Sequence, residues 1–401
     1  MNHKVNAKRL FLKGVQAVVP ENLKFDDIYK KNITLLGSGK AAISMAKAFL
    51  KQNIANIDEA FVVSNYYEKV ENLDVFVSSH PIPSDKSILA SKELKKRLCN
   101  LKKEDFFVYM LSGGSSALLE EPIFPISLEV MMETTELLLH AGASIDEVNT
   151  VRKHLSFVKG GRFGYSTKAS GIVFVISDVI GDDLQTIGSA PFYYDSSTCA
   201  DAKAVLVKYK LWEKVDKSIQ NVIISCHHET PEKSNPLIKH KIIASNNIAL
   251  KVIKKEALSM GYDVKIISNR VCGDVQEVAE NILTSARDLK SEKPLCLLFG
   301  GESTVKVKGD GKGGRNQELA LWVLKGLKDD ENFTFLSAGS DGIDGASEAA
   351  GALVDRYDLH EDIDKYLQNN DSYHYHKRYD TLIITGETGT NVMDIMILIK
   401  D

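Results

Sequence analysis

The first segment that could do chemistry is rich in glycine and consists of Gly37, Ser38, Gly39 and Lys40. Glycine lets the backbone approach a phosphate closely, and the free N–H groups of a helix N-terminus attract anions. Lys40 would place a positive charge beside such a phosphate. The segment fits the dinucleotide-binding pattern G-x-G-x-x-A but not the P-loop, whose glycines are separated by four residues. A tight turn with an exposed lysine is the alternative interpretation.

A second glycine-rich segment follows the apolar run 106–111 and contains Ser112, Gly113, Gly114 and Ser115. Its backbone N–H groups and hydroxyls form a nest of donors that suits a phosphate or a carboxylate. The G-x-S-x-G pattern of serine hydrolases is absent, so the segment does not indicate a serine nucleophile. A plain turn in which a serine caps a helix is the alternative.

Acidic residues that follow other predicted strands could bind a divalent cation. Asp178 and Asp182 follow the apolar run 172–176, and Glu302 follows the run 295–299. Mg²⁺ prefers carboxylate and water oxygens, so these three side chains are candidate metal ligands. Helix capping in a solvated turn explains Asp182 equally well.

The longest glycine-rich loop, at residues 308–314, opens onto a predicted helix that begins with Arg315 and Asn316. The helix dipole disfavours a cation in the first turn unless an anion is bound there. We therefore predict that Arg315 binds a phosphate through its planar fork of donors, beside Gly313 and Gly314. A purely structural loop is the alternative.

Two later loops each follow a predicted strand and would lie at the same sheet edge. The loop at 338–345 resembles a calcium loop superficially, but it lacks the spacing and the final glutamate. The other loop contains the candidate phosphate-binding residues Thr388, Gly389, Thr390 and Asn391. Each loop alone is a weak signal.

Basic side chains could bind an acidic substrate. The candidates are His80 and the group Arg152, Lys153 and His154 on a predicted helix. No histidine has sequence neighbours that make a metal site, so a structural role is the favoured interpretation for the other histidines.

These segments must be positioned by strands and helices that alternate along the chain. Short apolar runs such as 33–36, 60–63, 106–111 and 172–176 are mostly separated by helical stretches. Continuous apolar strands indicate a parallel sheet with helices on both faces. Ligands bind outside the carboxyl ends of the strands in such sheets, which is where the glycine-rich segments lie.

The length of 401 residues and a polar, proline-containing break at 229–236 indicate two domains. We predict an α/β fold with domains at residues 1–236 and 237–401. Each domain is expected to have three layers, with helices on both sides of a mostly parallel sheet.

Composition excludes several classes of protein. The net charge of −4 gives no field that attracts nucleic acid or an anionic membrane. No apolar run approaches the roughly 18 residues of a membrane span, and the N-terminus lacks the features of a signal peptide. Five scattered cysteines without a CxxC pair are predicted to be reduced thiols of a cytoplasmic protein, forming neither a disulfide nor a zinc site.

The motifs occur in an order that resembles the class II glycerate kinases, which are glycerate 2-kinases with a C-terminal MOFRL domain. The resemblance extends along the whole chain and rests on the segments GSGKAA (37–42), SSHPIPSD (78–85), LSGGSSALL (111–119), NTVRKHLSFVKGGR (149–162), SDVIGDD (177–183), GGESTV (300–305), GKGGRNQELAL (311–321), AGSDGIDG (338–345) and TGETGTNVMD (385–394).

The resemblance implies two Rossmann-like domains with the active site in the cleft between them. It also implies transfer of the γ-phosphoryl group of ATP to the 2-hydroxyl of D-glycerate, with Mg²⁺ on the nucleotide phosphates. Catalytic importance in the family attaches to a lysine and an arginine that fall on Lys40 and Arg315. The expected partners are these small molecules, not nucleic acid or a membrane.

The resemblance leaves open which loop binds the nucleotide and which binds D-glycerate. Candidate substrate-binding residues are Ser112, Ser115, His80 and Lys153. Candidate nucleotide- or phosphate-binding residues are Gly37, Ser38, Gly39, Gly113, Gly114, Gly313, Gly314, Asn316, Thr388, Gly389, Thr390 and Asn391. Ser115 replaces a glycine of the family pattern and Glu387 replaces a proline, so the exact hydroxy acid stays open.

Two other functions fit parts of the sequence. An NAD(P)-dependent hydroxypyruvate reductase fits the G-x-G-x-x-A pattern, but Lys40 lies inside that pattern and the nearest acid for a ribose, Glu68, lies in a loop. A non-catalytic sensor of nucleotides or sugar acids would bind the same anions without turnover. Apolar positions over residues 5–19 could serve a homodimer.

Overall fold

The computed structural model describes residues 2–26, 28, 32–53 and 57–401, which contain two six-stranded sheets. The strands are β1 (Ile33–Ser38), β2 (Ile57–Ser64), β3 (Asp74–Val77), β4 (Phe106–Leu111), β5 (Ser170–Ile176), β6 (Ile238–Ala244), β7 (Asp263–Asp274), β8 (Leu295–Thr304), β9 (Phe333–Gly339), β10 (Gly351–Asp355), β11 (Leu382–Ile383) and β12 (Asp394–Lys400). The helices are α1 (His3–Gln16), α2 (Ala42–Asn53), α3 (Asp85–Asn100), α4 (Ser115–Leu118), α5 (Leu128–His140), α6 (Ile145–His154), α7 (Cys199–Lys208), α8 (Lys217–Ser225), α9 (Asn246–Ser259), α10 (Val275–Asp288), α11 (Arg315–Lys325), α12 (Ile363–Gln368) and α13 (Ser372–Arg378). Within the described ranges, no helix has the length and apolar character needed to cross a membrane.

The chain divides into two compact units, so the predicted two-domain α/β class is confirmed. The parallel-sheet unit contains Lys24–Ile176 and Asp183–Ile243. The mixed-sheet unit contains Met1–Leu23, Ser177–Asp182 and Ala244–Asp401. This division differs from the predicted contiguous domains 1–236 and 237–401, because α1 packs against α9, β9 and β12 of the mixed-sheet unit.

The sheet of the parallel-sheet unit has the strand order β3-β2-β1-β4-β5-β6. Strand β1 pairs in parallel with β2 and β4, and the pairs β2–β3 and β4–β5 are also parallel. Strand β1 is buried along its whole length, as predicted for an apolar strand covered on both faces. The strand order reverses between β1 and β4, and such a switch point leaves a crevice at the carboxyl ends of the strands.

The sheet of the mixed-sheet unit has the strand order β11-β10-β9-β12-β8-β7. Strands β7, β8, β9 and β11 run in one direction, whereas β10 and β12 run in the opposite direction. The prediction of parallel strands thus does not hold for β10 and β12. A strand buried on both faces is apolar in either direction, so its sequence does not reveal which way it runs.

Helix α1 belongs to the core of the mixed-sheet unit. Its side chains Leu10 and Phe11 are fully buried. A Cβ at Gly14 would lie 2.5 Å from Cδ1 of Ile253, so the glycine permits a close approach between α1 and α9. The apolar face of α1, a candidate dimer surface in the sequence, is therefore covered within the unit.

Cys199 and Cys226 form a disulfide with an S–S distance of 2.16 Å. The prediction that all cysteines are reduced thiols is wrong for this pair, because the fold brings the start of α7 to the end of α8 across 27 residues of sequence. Cys99 and Cys272 are exposed free thiols, and Cys296 is a buried one.

Candidate active site

The first two glycine-rich segments meet at the switch point of the parallel-sheet unit. Ser38 at the end of β1 lies opposite Leu111 at the end of β4. Gly39 has a φ of +131°, and a Cβ there would lie 2.1 Å from Ser112 Oγ, so only glycine fits. The same Ser112 hydroxyl accepts a hydrogen bond of 3.0 Å from the backbone N–H of Ala41. Both segments therefore lie at the carboxyl ends of their strands, as predicted, and the structure shows that they meet within this unit.

Lys40 and His80 flank the loop that follows β4. A Cβ at Gly114, whose φ is +85°, would lie 3.1 Å from both Lys40 Cγ and His80 Cδ2. Lys40 is exposed and forms no ion pair with any carboxylate in the described part of the chain. Burial and the positive charge of Lys40 lower the pKa of His80 from 6.5, so this imidazole is neutral at neutral pH. We call Lys40, His80, Ser112, Gly113 and Gly114 the switch-point site.

Two of the candidate serines are turned into the protein instead. Ser38 and Ser115 are both fully buried, and their hydroxyl oxygens are 2.5 Å apart. Ser38 Oγ is also 2.6 Å from the buried hydroxyl of Tyr109. The expectation that these serine side chains reach a ligand is not supported, because their hydroxyls are used in a buried hydrogen-bond chain. The backbone N–H of Ser115 remains a candidate, whereas Ser38 is paired within the sheet.

A buried lysine that the sequence did not single out holds the loop of the switch-point site in place. Lys159 Nζ donates hydrogen bonds to the carbonyl oxygens of Ser116 (2.8 Å) and Leu119 (3.0 Å), and it lies 2.9 Å from Glu120 Oε2. Arg152 donates to the same Ser116 carbonyl at 3.1 Å. Burial lowers the pKa of Lys159 to about 8, although Glu120 opposes that shift. Arg152 thus supports the loop from inside the protein.

Lys153, a candidate substrate-binding residue, is buried and lies 3.1 Å from Asp195. The carboxylate of Asp195 also accepts hydrogen bonds of 2.9 Å from the hydroxyl of Ser197. A lysine that is buried and already paired is held in the fold, so the structure gives no support to a substrate contact by Lys153.

Arg315 is surrounded by carboxylates of the mixed-sheet unit. Its Nε is 2.6 Å from Asp394 Oδ2 and its Nη2 is 3.0 Å from Asp394 Oδ1, which is a bidentate pair. Its Nη1 is 2.6 Å from Glu302 Oε1. Burial lowers the pKa of Arg315, but the hydrogen bond to Asp394 and the negative charges around the guanidinium raise that pKa overall.

A side chain of the protein caps the N-terminus of α11, so this helix end is not a vacant anion-binding site. Asp344 accepts hydrogen bonds from the backbone N–H groups of Asn316 (3.1 Å) and Gln317 (2.9 Å). A Cβ at Gly314 would lie 2.3 Å from Asp344 Cγ, so this glycine makes room for the cap. The sequence predicted that a bound phosphate explains an arginine in the first turn. In the structure, the negative charges around Arg315 are the carboxylates of Asp344, Asp394 and Glu302.

Asn316 and Gly313 also have structural roles. Asn316 is buried, its amide donates to Asp344 at 3.2 Å, and its carbonyl oxygen accepts from Ser337 at 2.6 Å. A Cβ at Gly313 would lie 2.1 Å from Ser372 Oγ. The side chain of Asn316 is thus fully engaged, and a nucleotide contact by it is not supported.

The acidic residues near Arg315 carry more negative charge than one arginine compensates. Burial raises the pKa of Glu302, and the charges of Asp394, Asp178 and Asp341 raise it further. Burial and Asp394 likewise raise the pKa of Asp341. We call Glu302, Arg315, Asp341, Asp344 and Asp394 the Arg315 cluster.

Mg²⁺ fits this environment in one respect and not in another. The ligand set of carboxylate oxygens is the set that Mg²⁺ prefers, and a divalent cation would offset the excess negative charge. However, three metal-ligating atoms come within 4.8 Å of one another only at His154, Cys199 and Glu229, as far as the structure describes the chain. Asp178, Asp182 and Glu302 are therefore not a preassembled metal site. A Mg²⁺ held by one or two carboxylates plus substrate phosphates needs no such site.

Asp182 fits the turn interpretation better than the metal interpretation. Its φ of +59° is in the left-handed region, and its backbone N–H donates a 3.1 Å hydrogen bond to the carbonyl of Val179. Asp178, in contrast, contributes to the electrostatic environment of Glu302.

The loop after β11 is tied into the mixed-sheet unit by its threonines. Thr388 Oγ1 donates to Ser340 O at 2.6 Å, and the buried Thr390 donates to Val18 O at 2.8 Å. Asn391 Oδ1 accepts from the backbone N–H of Met393 at 2.9 Å. The hydroxyls of Thr388 and Thr390 are thus engaged in the fold, whereas Gly389 and Asn391 are exposed and are left as the candidate ligand contacts of this loop.

Asp394 and Lys159 are the functional or supporting residues that sequence reasoning missed. Asp394 is the last residue of the TGETGTNVMD segment. Because an apolar run follows it directly, the sequence indicates only that a strand begins there. Lys159 could have been identified as a candidate, because it follows the basic group at 152–154 in the NTVRKHLSFVKGGR segment.

Comparisons with known proteins agree over nearly the whole chain. A domain of unknown function, DUF4147, matches residues 4–224, and the MOFRL family matches residues 295–394. The chain is 39% identical over 394 residues to a glycerate 2-kinase of Pyrococcus horikoshii, covering 92% of this chain and 88% of that protein. It is 37% identical over 403 residues to a D-glycerate 2-kinase of Thermotoga maritima, covering 96% and 95%. A crystal structure of a glycerate kinase from Thermotoga maritima superposes with a TM-score of 0.92 at 36% identity and covers 99% of both chains.

Proposed function

The chain belongs to the glycerate 2-kinase family, and from this premise we propose that it transfers the γ-phosphoryl group of ATP to the 2-hydroxyl of D-glycerate, giving 2-phospho-D-glycerate. The main structural support for phosphoryl transfer is Lys40. This lysine is exposed at the switch point and pairs with no carboxylate among the described residues. The other candidate lysine and arginine side chains already have carboxylate partners; they are Arg152, Lys153 and Arg315.

Lys40 has the properties that phosphoryl transfer requires. The reaction needs reactants held in place and the charge on the transferring phosphoryl oxygens neutralised. Lys40 supplies an exposed positive charge, and the neighbouring turn with Gly113 and Gly114 is the proposed source of backbone N–H donors. His80 is neutral at neutral pH, so it can orient a hydroxyl or a carboxylate without adding charge. We propose that these groups bind the transferred phosphate or the glycerate carboxylate.

The Arg315 cluster is the proposed location of Mg²⁺. When bound, the metal neutralises nucleotide phosphate charge. Glu302 and Asp178 are the proposed protein ligands. Glu302 is 44% exposed, whereas Asp394 is fully buried. Asp178 contributes to the electrostatic environment of Glu302. Glu302 would hold the metal through its carboxylate, and Arg315 would bind a phosphate oxygen through Nη1, with Asp394 fixing the opposite side of the guanidinium. The active-site cleft between the two domains stays a prediction.

The partners and location follow from the reaction. ATP and D-glycerate are small metabolites, so we propose that the protein acts in the cytoplasm. A homodimer stays a prediction. The apolar face of α1, which was expected to support it, is covered within the mixed-sheet unit.

No structural observation favours the hydroxypyruvate reductase. Its candidate ribose acid, Glu68, lies 2.5 Å from Lys47 and is therefore already paired. The non-catalytic sensor differs from the kinase only in turnover, so the same assay separates the two.

The decisive test is ³¹P NMR of the purified protein with ATP, Mg²⁺ and D-glycerate. We expect a 2-phosphoglycerate signal, and we expect Lys40→Ala to lower the rate by about 10²–10³-fold because a charge that stabilises the transition state is lost. Lys51→Ala is the matched control, since Lys51 is an exposed lysine at the other end of α2, and it should keep the wild-type rate.

Several outcomes would contradict the proposal. Unchanged ATP with every acceptor would indicate the sensor, and oxidation of NADH with hydroxypyruvate would indicate the reductase. A 3-phosphoglycerate product would reject the regiochemistry while keeping the reaction type. Equal rates for Lys40→Ala and the wild type would remove Lys40 from the mechanism.

A further inference from the structure

Four potential metal ligands from separate segments of the parallel-sheet unit converge at one point. They are His154 at the end of α6, Cys199 at the start of α7, Cys226 at the end of α8, and Glu229 in the following turn. Ligand atoms of His154, Cys199 and Glu229 all lie within 4.8 Å of one another. Cys226 Sγ is bonded to Cys199 Sγ at 2.16 Å and lies 3.0 Å from Glu229 Oε2.

We propose that these four side chains bind one Zn²⁺ ion when the Cys199–Cys226 disulfide is reduced. Two thiolate sulfurs, one imidazole nitrogen and one carboxylate oxygen are a donor set that suits tetrahedral Zn²⁺. Thiolates select zinc over the hard cations Mg²⁺ and Ca²⁺. The site is distinct from the switch-point site and from the Arg315 cluster, with which it shares no residue.

The imidazole of His154 is oriented as in metal-binding histidines. Its Nδ1 is 2.7 Å from the carbonyl oxygen of Thr150, and a carbonyl only accepts, so Nδ1 carries the proton. Such a hydrogen bond fixes the ring and leaves Nε2 to bind the metal. Nε2 lies 2.8 Å from Glu229 Oε1. Two acceptor atoms this close repel each other unless a proton or a cation lies between them.

The carboxylate of Glu229 is fixed in the same manner. Oε1 accepts from the backbone N–H of Thr230 at 3.0 Å, and Oε2 accepts from the backbone N–H of Cys199 at 3.0 Å. Each oxygen keeps a further lone pair toward the cluster. The ligand is thus oriented before any metal arrives.

The position of Cys199 places its sulfur among the other proposed ligands. Cys199 is the first residue of α7, and its backbone N–H donates to Glu229 Oε2. The side chain is nearly fully buried, so the sulfur faces the other ligands and not the solvent.

The disulfide and the metal site use the same two sulfurs and exclude each other. A phosphine reductant donates two electrons to the S–S bond and takes an oxygen from water, which gives two thiols and a phosphine oxide. Metal binding then displaces one proton from each thiol. The disulfide is therefore the state without metal.

The test uses the full chain, reduced with a phosphine, desalted without oxygen and titrated with Co²⁺ as a spectroscopic substitute for Zn²⁺. We expect the visible bands of tetrahedral cobalt and a near-ultraviolet thiolate-to-cobalt band that saturate at one equivalent and disappear when Zn²⁺ is added. The double variant Cys199→Ser/Cys226→Ser should lose the thiolate band, because each single variant keeps one sulfur ligand. Cys272→Ser, which removes an exposed free thiol, should keep the full band.

Glu229→Gln keeps both sulfurs and is the second variant, should the serine variants fail to fold. It should lower zinc affinity by at least about tenfold, the effect seen even for outer-shell partners of metal ligands. The inference is overturned if reduced wild type shows no thiolate-to-cobalt band, if the band persists in the double serine variant, or if Glu229→Gln binds zinc as tightly as the wild type.

Discussion

At the scale of single residues, the candidate site contains a cation that is compensated by carboxylates and a cation that is not. Arg315 is held by Asp394 and Glu302, whereas Lys40 has no carboxylate partner among the described residues. A compensated charge is part of the folded structure, while an uncompensated one retains its full attraction for a ligand. The two residues are therefore expected to respond differently to substitution.

Arg315→Ala should destabilise the protein as well as inactivate it. It leaves the fully buried Asp394 without its bidentate partner, and an unsatisfied buried acceptor costs about 1–3 kcal/mol. Urea denaturation of Arg315→Ala, Asp394→Asn and the double variant measures the coupling, which we expect at about 0.5–3 kcal/mol.

Arg9→Ala is the control for this cycle, because Arg9 in the same unit is 63% exposed and pairs with Glu256 at the surface. Its effect should be about 0.2–1 kcal/mol. A coupling near zero between Arg315 and Asp394 would show that the pair contributes nothing to stability.

Some residues of the candidate site could be predicted from the sequence and others could not. Lys40 and Ser112 could be predicted because a glycine-rich segment directly after an apolar run is typical of an anion-binding turn at a sheet edge. Asp394 could not, since its pairing with Arg315 depends on where β12 enters the sheet, which is a non-local property. The burial of Ser38 and Ser115 depends on Tyr109 in the adjacent strand, and no spacing in the sequence reveals such a contact.

At the scale of elements, secondary structure was predictable from apolar runs, but strand direction was not. The parallel β1–β4 pair follows from apolar strands separated by helices, whereas β12 returns antiparallel between β8 and β9. That reversal brings the first residue of β12, Asp394, to the level of Gly301 and Gly339 near the ends of its neighbours. The Arg315 cluster exists because of this arrangement.

Helix α13 provides a pH-dependent contribution to stability through His376. The imidazole is fully buried, 2.9 Å from Gln317 O and 2.7 Å from Thr381 Oγ1, and burial lowers its pKa from 6.5 to about 4. Between these values the unfolded chain binds a proton that the folded chain does not. The free energy of unfolding should therefore fall as pH drops from 6.5 to about 4, by about 1.36 kcal/mol per unit for this group.

Urea denaturation at pH 7 and pH 4.5 checks this expectation. His376→Gln should be less stable at pH 7, yet it should lose less stability than the wild type on acidification. Carboxylates common to both proteins cancel in the comparison. Equal losses in the two proteins would contradict a buried, neutral His376.

At the scale of the whole molecule, the two compact units are not two consecutive pieces of sequence. The polar break at 229–236 marks a real change along the chain, but it could not reveal that α1 packs against α9. Helical spacing in residues 5–19 predicts an amphipathic helix and leaves the identity of its partner open. Tertiary contacts decide that identity.

Phe11→Ala should therefore destabilise the unit that contains the C-terminal half of the chain. Phe11 is fully buried, and removing a buried phenylalanine side chain costs about 3–5 kcal/mol. The chain has two tryptophans, one in each unit: Trp212 in the parallel-sheet unit and Trp322 in the mixed-sheet unit. Fluorescence of a Trp212→Phe background follows Trp322, and that transition should shift to lower urea.

A Trp322→Phe background follows Trp212 in the other unit and should show a smaller shift. Leu12→Ala, at a position on α1 that is 36% exposed, is the matched control and should change little. A larger shift at Trp212 than at Trp322 would contradict the placement of α1 in the mixed-sheet unit.

The packing of α1 on α9 has a consequence for synthesis. A ribosome that has completed α1 at Gln16 adds more than two hundred residues before α9 begins at Asn246. At roughly 5–20 residues per second, the nascent helix waits on the order of 10–50 seconds for its partner. During that interval Leu10 and Phe11, both fully buried in the finished protein, are exposed on the growing polypeptide. Newly made chains are thus available to chaperones that recognise apolar segments at least until translation has passed α9, and β9 and β12, which also contact α1, are made later still.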